Sequence, residues 1–260
     1  MARSERPVLE VRDLTRRFDG LAAVDGFSFS VWPGTVHGLI GPNGAGKTTT
    51  FNVISGFCRP TSGCVIYSGQ DVSGWKTSAL AAAGLIRTFQ GTTLFQEFTV
   101  LDNVRIGCHG IARAGFAARV LGRDKEVERR ASRKAWEILE FFGLERLAGE
   151  LACNLPHGHQ RTLGLAIAVA AEPKLLLLDE PFTGMNPEET QKLMNLVREI
   201  RAEREITIML VEHDMQAVMG LCDVITVMNF GQFLTEGKPE EIRTHPAVIE
   251  AYLGTDAHAA

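Results

Sequence analysis

The stretch Gly41-Pro42-Asn43-Gly44-Ala45-Gly46-Lys47-Thr48 decides the fold. It reads G-x-x-x-x-G-K-T and stands between Val36–Ile40, a short apolar run of strand character, and Thr48–Ser55, whose spacing suits a helix. Glycines let a backbone wrap an anion without Cβ clashes. Successive N–H groups then form a nest at the positive end of the helix dipole. Such a strand–loop–helix is expected to cradle phosphates, with Lys47 reaching the β- and γ-phosphates and the Thr48 hydroxyl meeting Mg2+. Gly41, Asn43, Gly44, Gly46 and Thr49 complete the expected phosphate-binding set.

Downstream, Leu175-Leu176-Leu177-Leu178-Asp179-Glu180 supplies a second half. Lys174–Asp179 reads as a buried parallel strand that ends in two carboxylates, at the edge where ligands bind in such sheets. Asp179 is expected to hold the metal and Glu180 to polarise an attacking water. Around these, the chain alternates. Val8 to Asp13 and Phe27 to Val31 show strand periodicity, and Cys64–Tyr67 and Leu85–Phe89 read as further strands, with a helix at Ser78–Ala83 between them. From Leu101 to Leu151, Glu, Arg and Ala dominate. Val127–Phe142 carries apolar residues at helical spacing, and Gly107, Gly110, Gly115 and Gly122 suggest a loop or broken helix. The remainder reads as strand and helix in turn: an amphipathic helix at Pro187–Arg201, a strand at Ile206–Val211, a helix at Met215–Leu221, then strands at Val224–Met228 and Gln232–Thr235.

Composition excludes several classes. The 260 residues carry 27 Lys and Arg against 31 Asp and Glu, a net charge of −4, which argues against a general nucleic-acid binder. Apolar residues make up 45%, yet no run reaches the ~18 needed for a membrane helix. The start, MARSERPVLEVRD, lacks a signal-peptide core, so a cytosolic location is expected. Five scattered cysteines without a C-x-x-C pair read as buried thiols, and no His or Cys metal site is expected.

With these residues in place, the chain from about Leu9 to Gly254 resembles the ATP-binding cassette (ABC) ATPases. The resemblance implies an α/β, P-loop NTPase fold: N-terminal antiparallel strands, a mainly parallel core sheet, and an inserted helical subdomain over residues 101–171, with 1–100 and 172–260 forming the nucleotide-binding core. It further implies that Gln90 contacts Mg2+ and the water, that His213 in Val211-Glu212-His213-Asp214 contacts the γ-phosphate, and that Phe18 stacks on adenine with Val24 nearby. Thr183-Gly184-Met185-Asn186 corresponds to the family's D-loop, with Asn186 where Asp is usual.

A narrower likeness rests on Arg87-Thr88-Phe89-Gln90, Leu94-Phe95, Thr99-Val100, Glu212-His213-Asp214-Met215 and Val248 to Gly254. These are similar to the longer ATPase subunit of branched-chain amino-acid importers. The likeness implies ATP and Mg2+ as cofactors and uptake of hydrophobic amino acids or related amides. The implied partners are a second ATPase subunit in a head-to-tail pair, two transmembrane permease subunits and, indirectly, a periplasmic or extracellular solute-binding protein. The implied location is peripheral, on the cytoplasmic face of the cell membrane. An exporter ATPase of lipopolysaccharide type and a soluble regulatory ABC ATPase are the competing classes.

One motif departs from the family. The signature, Leu-Ser-Gly-Gly-Gln or Leu-Ser-Tyr-Gly-Gln, is here Leu155-Pro156-His157-Gly158-His159. Leu155, Pro156 and Gly158 are the expected contacts to the partner's nucleotide. Pro156 has neither hydroxyl nor N–H, so a weakened contact is expected there, and a different partner with an intact signature is favoured over a homodimer.

Overall fold

Leu9–Phe18 (β1) and Leu21–Val31 (β2) fold back on each other about Asp19-Gly20. Both turn residues have positive φ, 44° and 94°, the geometry a tight two-residue hairpin needs. Ser62–Tyr67 (β4) pairs antiparallel with the other side of β1, and Gln70–Asp71 (β5) closes a four-stranded sheet of order β2-β1-β4-β5. The structure, a computed structural model, describes residues 6–88, 94–108 and 124–256.

The second sheet has order β10-β9-β3-β8-β7-β6. Its parallel strands are Val36–Ile40 (β3), Leu85–Arg87 (β6), Leu175–Asp179 (β7), Thr207–Val211 (β8) and Val224–Asn229 (β9). Gln232–Gly237 (β10) is its antiparallel edge. Strands β3, β7 and β8 are buried throughout. Alternation sends Leu176, Leu178, Ile208 and Leu210 into a core shared with the helices, and Leu175, Leu177, Met209 and Val211 into a core shared with the four-stranded sheet. This is why these strands read as unbroken apolar runs: each face meets a different core.

Among the described residues the α-helices are Lys47–Ile54 (α1), Thr77–Ala83 (α2), Val100–Cys108 (α3), Asp124–Phe141 (α4), His157–Ala170 (α5), Pro187–Arg204 (α6), Met215–Leu221 (α7), Pro239–Arg243 (α8) and Pro246–Asp256 (α9). Helix α3 packs on both α4 and α5. Gly107, expected in a loop, is inside α3 instead. A Cβ there would come within 2.4 Å of the Ile167 carbonyl, so this glycine allows two helices to touch. Gly110, Gly115 and Gly122 lie outside the described residues. The expected strand Leu85–Phe89 ends at Arg87, although Thr88 N–H still bonds the Leu177 carbonyl (2.9 Å); Phe89 lies outside the described residues.

Candidate functional site

The carboxyl ends of β3, β7 and β8 lie side by side, with Asp179 opposite Val211 and Val211 opposite Leu39. The site grows from these three ends. After β3, the loop 41–46 turns into α1, with the Ala45 N–H bonded to the Pro42 carbonyl (3.1 Å). Gly41 and Gly46 both have positive φ, 156° and 104°. A Cβ on Gly41 would meet the Met228 carbonyl at 2.1 Å, and one on Gly46 the Ala23 carbonyl at 2.4 Å. Their glycine requirement therefore comes from packing against β9 and β2 as well as from anion access. Gly44 has open space around its Cα and is exposed with Asn43 and Thr48, whereas Thr49 is half-buried.

Lys47 is 8% exposed, and its Nζ donates to the carbonyls of Gly41 (2.7 Å) and Pro42 (2.9 Å). Burial lowers its pKa, and the charge of Glu180 works in the opposite direction. That coupling joins the phosphate loop to the end of β7. On the last helix, the buried Tyr252 hydroxyl is pushed up to about 12 by desolvation, opposed by a hydrogen bond with the Gly41 backbone.

Glu180 follows β7 with φ 47°, a left-handed conformation that costs a non-glycine residue about 1 kcal/mol. Its N–H bonds the Val211 carbonyl (2.9 Å), and its Oε2 accepts from Thr183 Oγ1 (3.3 Å). His213 Nδ1 lies 3.9 Å from Glu180 Oε2 and 3.7 Å from Glu212 Oε2, and the imidazole is largely exposed. Glu212 is 1% exposed and accepts the N–H groups of Phe182 (2.9 Å), His213 (2.8 Å) and Asp214 (3.2 Å). Its buried carboxylate thus pins the segments after β7 and β8 together and sets where Glu180 and His213 stand. Asp179 is buried and accepts from Arg87 Nη2 (2.7 Å).

Residues 24–183, more than half of the chain, match the ABC transporter family. The chain belongs to that family. Residues 234–258 match a second family, described as branched-chain amino acid ATP-binding cassette transporter. The cassette is similar to the high-affinity branched-chain amino acid transport ATP-binding protein BraF of Pseudomonas aeruginosa, at 42% identity over 96% of this chain and 98% of that protein. It is similar to LivG of Escherichia coli K12, of the same description, at 41% over the same shares. Among solved structures, a nucleotide-free ATP-binding cassette from an ABC transporter superposes with a TM-score of 0.83 and 33% identity, covering 95% of this chain and 99% of the other. The ADP conformation of another cassette gives 0.84 and 31%, over 96% and 99%. Both support the α/β ABC ATPase fold expected from the sequence.

Other expected ABC site residues fall in different places. Phe18 ends β1, half-exposed, with the Arg16 guanidinium 4.4 Å above its ring. Val24 lies wholly inside the core with Phe27 and Phe51, because β2 turns its side chain inward. Gln90 lies outside the described residues. Leu155 is buried, while Pro156 is exposed at the N-cap of α5 and its carbonyl accepts the Gln160 N–H (3.0 Å). Gly158 is buried: a Cβ there would meet Glu189 Oε1 at 2.6 Å. Arg161 Nη2 donates to the Thr183 carbonyl (3.3 Å), so the signature helix rests on the D-loop of its own chain. The sequence motifs that contain Arg87 and Glu212 assign neither of them a role at the site. The available signal was a charged residue at the end of each of two apolar strands on the ligand edge.

Proposed function

We propose that this ABC cassette is the ATP-hydrolysing subunit of an importer for branched-chain or other hydrophobic amino acids or related amides. The observation that carries the reading is the match of residues 234–258, a stretch that supplies none of the expected phosphate-binding residues, to the branched-chain family. The phosphate loop is common to ABC systems and does not separate this importer from a lipopolysaccharide-type exporter or a soluble regulatory ATPase; the C-terminal stretch does.

In this reading Lys47 and the loop N–H groups bind the ATP phosphates, and Phe18 receives the adenine. Glu180 orients the attacking water and accepts its proton, while His213 meets the γ-phosphate. The donors Thr48 and Asp179, with Gln90, are hard oxygen ligands of the kind Mg2+ takes, and the ion supplies neutralising charge to the phosphates when bound. Positioning and electrostatics then lower the barrier.

The cassette pairs head to tail with a second ATPase subunit and works on two permease subunits at the cytoplasmic face of the membrane, a solute-binding protein delivering the substrate. The stacked, half-exposed Phe95 and Phe98, 5.5 Å apart, stand in sequence between Gln90 and the helical subdomain 101–171 and support a coupling surface formed by that segment with the subdomain. Pro156 offers the partner's nucleotide neither hydroxyl nor N–H, which favours a heterodimer with one strong and one weak site. In the reconstituted transporter, Pro156→Ser is expected to raise ATP turnover; unchanged turnover and nucleotide affinity would remove the weak-site idea. For the transport role, deleting the gene is expected to abolish high-affinity uptake of radiolabelled leucine. Restoration of uptake by wild type and not by Glu180→Gln supports the role, and undiminished uptake in the deletion strain rejects it.

A further inference from the structure

Arg87 is the last residue of β6, two positions before the segment 89–93 that contains Gln90. Its guanidinium makes three contacts at once. One nitrogen donates to Asn52 Oδ1 (2.8 Å) and Ser55 Oγ (2.8 Å), on α1 and at its C-terminal end, and the other to Asp179 Oδ2 (2.7 Å). The Phe51 and Phe57 rings lie 5.6 Å and 5.5 Å from its centre. The Arg87 and Asp179 side chains are only 5% and 7% exposed, so the pair is almost fully desolvated. Charge coupling at such a site is much stronger than at a surface, and a buried carboxylate that loses its partner is left uncompensated. Only a planar fork can serve three acceptors in this arrangement.

We propose that Arg87 is the resident counter-ion of the Asp179 carboxylate, so that guanidinium and Mg2+ compete for the same charge. This rests on the reading of Asp179 as the metal carboxylate. A dication approaching Asp179 meets both a competing donor on Oδ2 and a repelling positive charge. The arrangement keeps the buried carboxylate compensated and makes the metal's contribution conditional on nucleotide phosphates that outweigh Arg87. Because α1 begins with Lys47 and ends beside the Arg87 seat, one helix joins the phosphate loop to this counter-ion. The role is one of positioning: Arg87 acts on the metal through Asp179.

The test reads the coupling between metal and nucleotide and involves no turnover. The ATP dissociation constant of the full-length chain is measured with excess EDTA and with excess Mg2+, and the ratio of the two is compared among variants. Arg87→Gln is expected to raise this ratio about tenfold, a coupling within the usual range for interacting sites. Arg87→Lys keeps the charge and is expected to leave the ratio near that of wild type. An unchanged or lowered ratio in Arg87→Gln overturns the proposal, as does an equal rise in Arg87→Lys, which would assign the effect to packing. Should Arg87→Gln not fold, Asn52→Ala loosens the seat while keeping the charge and is expected to raise the ratio by a smaller factor; no rise there overturns the proposal. A ratio of one in both wild type and Arg87→Gln rejects the Asp179 reading itself. A wild-type ratio above one with no change in the variant rejects only the role of Arg87.

Discussion

At the residue scale, Glu212 shows how a buried charge can organise a site without touching the chemistry. Its carboxylate accepts three backbone N–H groups from two different segments. Glu212→Gln removes the charge and one oxygen acceptor, and such losses at buried sites cost about 1–3 kcal/mol. The variant is expected to lower turnover while retaining ATP binding, because Glu180 and His213 lose their fixed spacing; steady-state kinetics beside a binding titration checks this. Gly41 makes a different demand. Gly41→Ala drives a methyl into the Met228 carbonyl at 2.1 Å in a left-handed backbone. The expected cost is about 2–4 kcal/mol, or a fall in Tm of roughly 5–10 °C, read by thermal denaturation. The placement of Lys47, Thr48, Asp179 and Glu180 at one edge of the sheet was legible because each follows a short apolar strand in sequence. The surroundings of Arg87 and the full burial of Val24 were not. Arg87 meets Asn52, 35 positions away, and Asp179, 92 positions away, and no local pattern carries that convergence.

At the element scale, the strands that bear the site were legible because burial on both faces leaves an unbroken apolar run. Helices α8 and α9 escaped the sequence reading, since α8 has only five residues and α9 lacks a polar face on which periodicity could show. The rim of the sheet also holds a titratable link. His37 on β3 is fully buried beside Phe29, its Nε2 2.8 Å from Thr226 Oγ1 on β9, and Thr226 donates to Glu236 Oε2 on β10 (2.5 Å). Burial pushes the His37 imidazole from 6.5 down to about 4. The native state therefore binds a proton less readily than the unfolded chain. Stability from keeping this ring neutral is complete above pH 6.5 and is lost as the pH falls through 4. Between pH 7 and pH 4, wild type is expected to lose about 3 kcal/mol more than His37→Gln, which keeps a partner for Thr226 but does not titrate. Urea denaturation across that range checks it.

At the scale of the whole molecule, the high apolar content and the lack of a spanning segment are reconciled by the two cores that share one sheet. Among the described residues no helix is long and apolar enough to cross a membrane. The apolar residues line strands that feed both cores, and the phosphate loop, the β7 carboxylates and His213 all emerge from one edge of that sheet. The account's central claim is that this edge hydrolyses ATP with Glu180 orienting the water. Single-turnover hydrolysis of ATP by the reconstituted transporter, with wild type and Glu180→Gln compared at saturating nucleotide, tests it most directly. The account predicts ATP binding by both and a loss of about 10²–10⁴-fold in the hydrolytic rate of the variant. Hydrolysis by Glu180→Gln at the wild-type rate would contradict it.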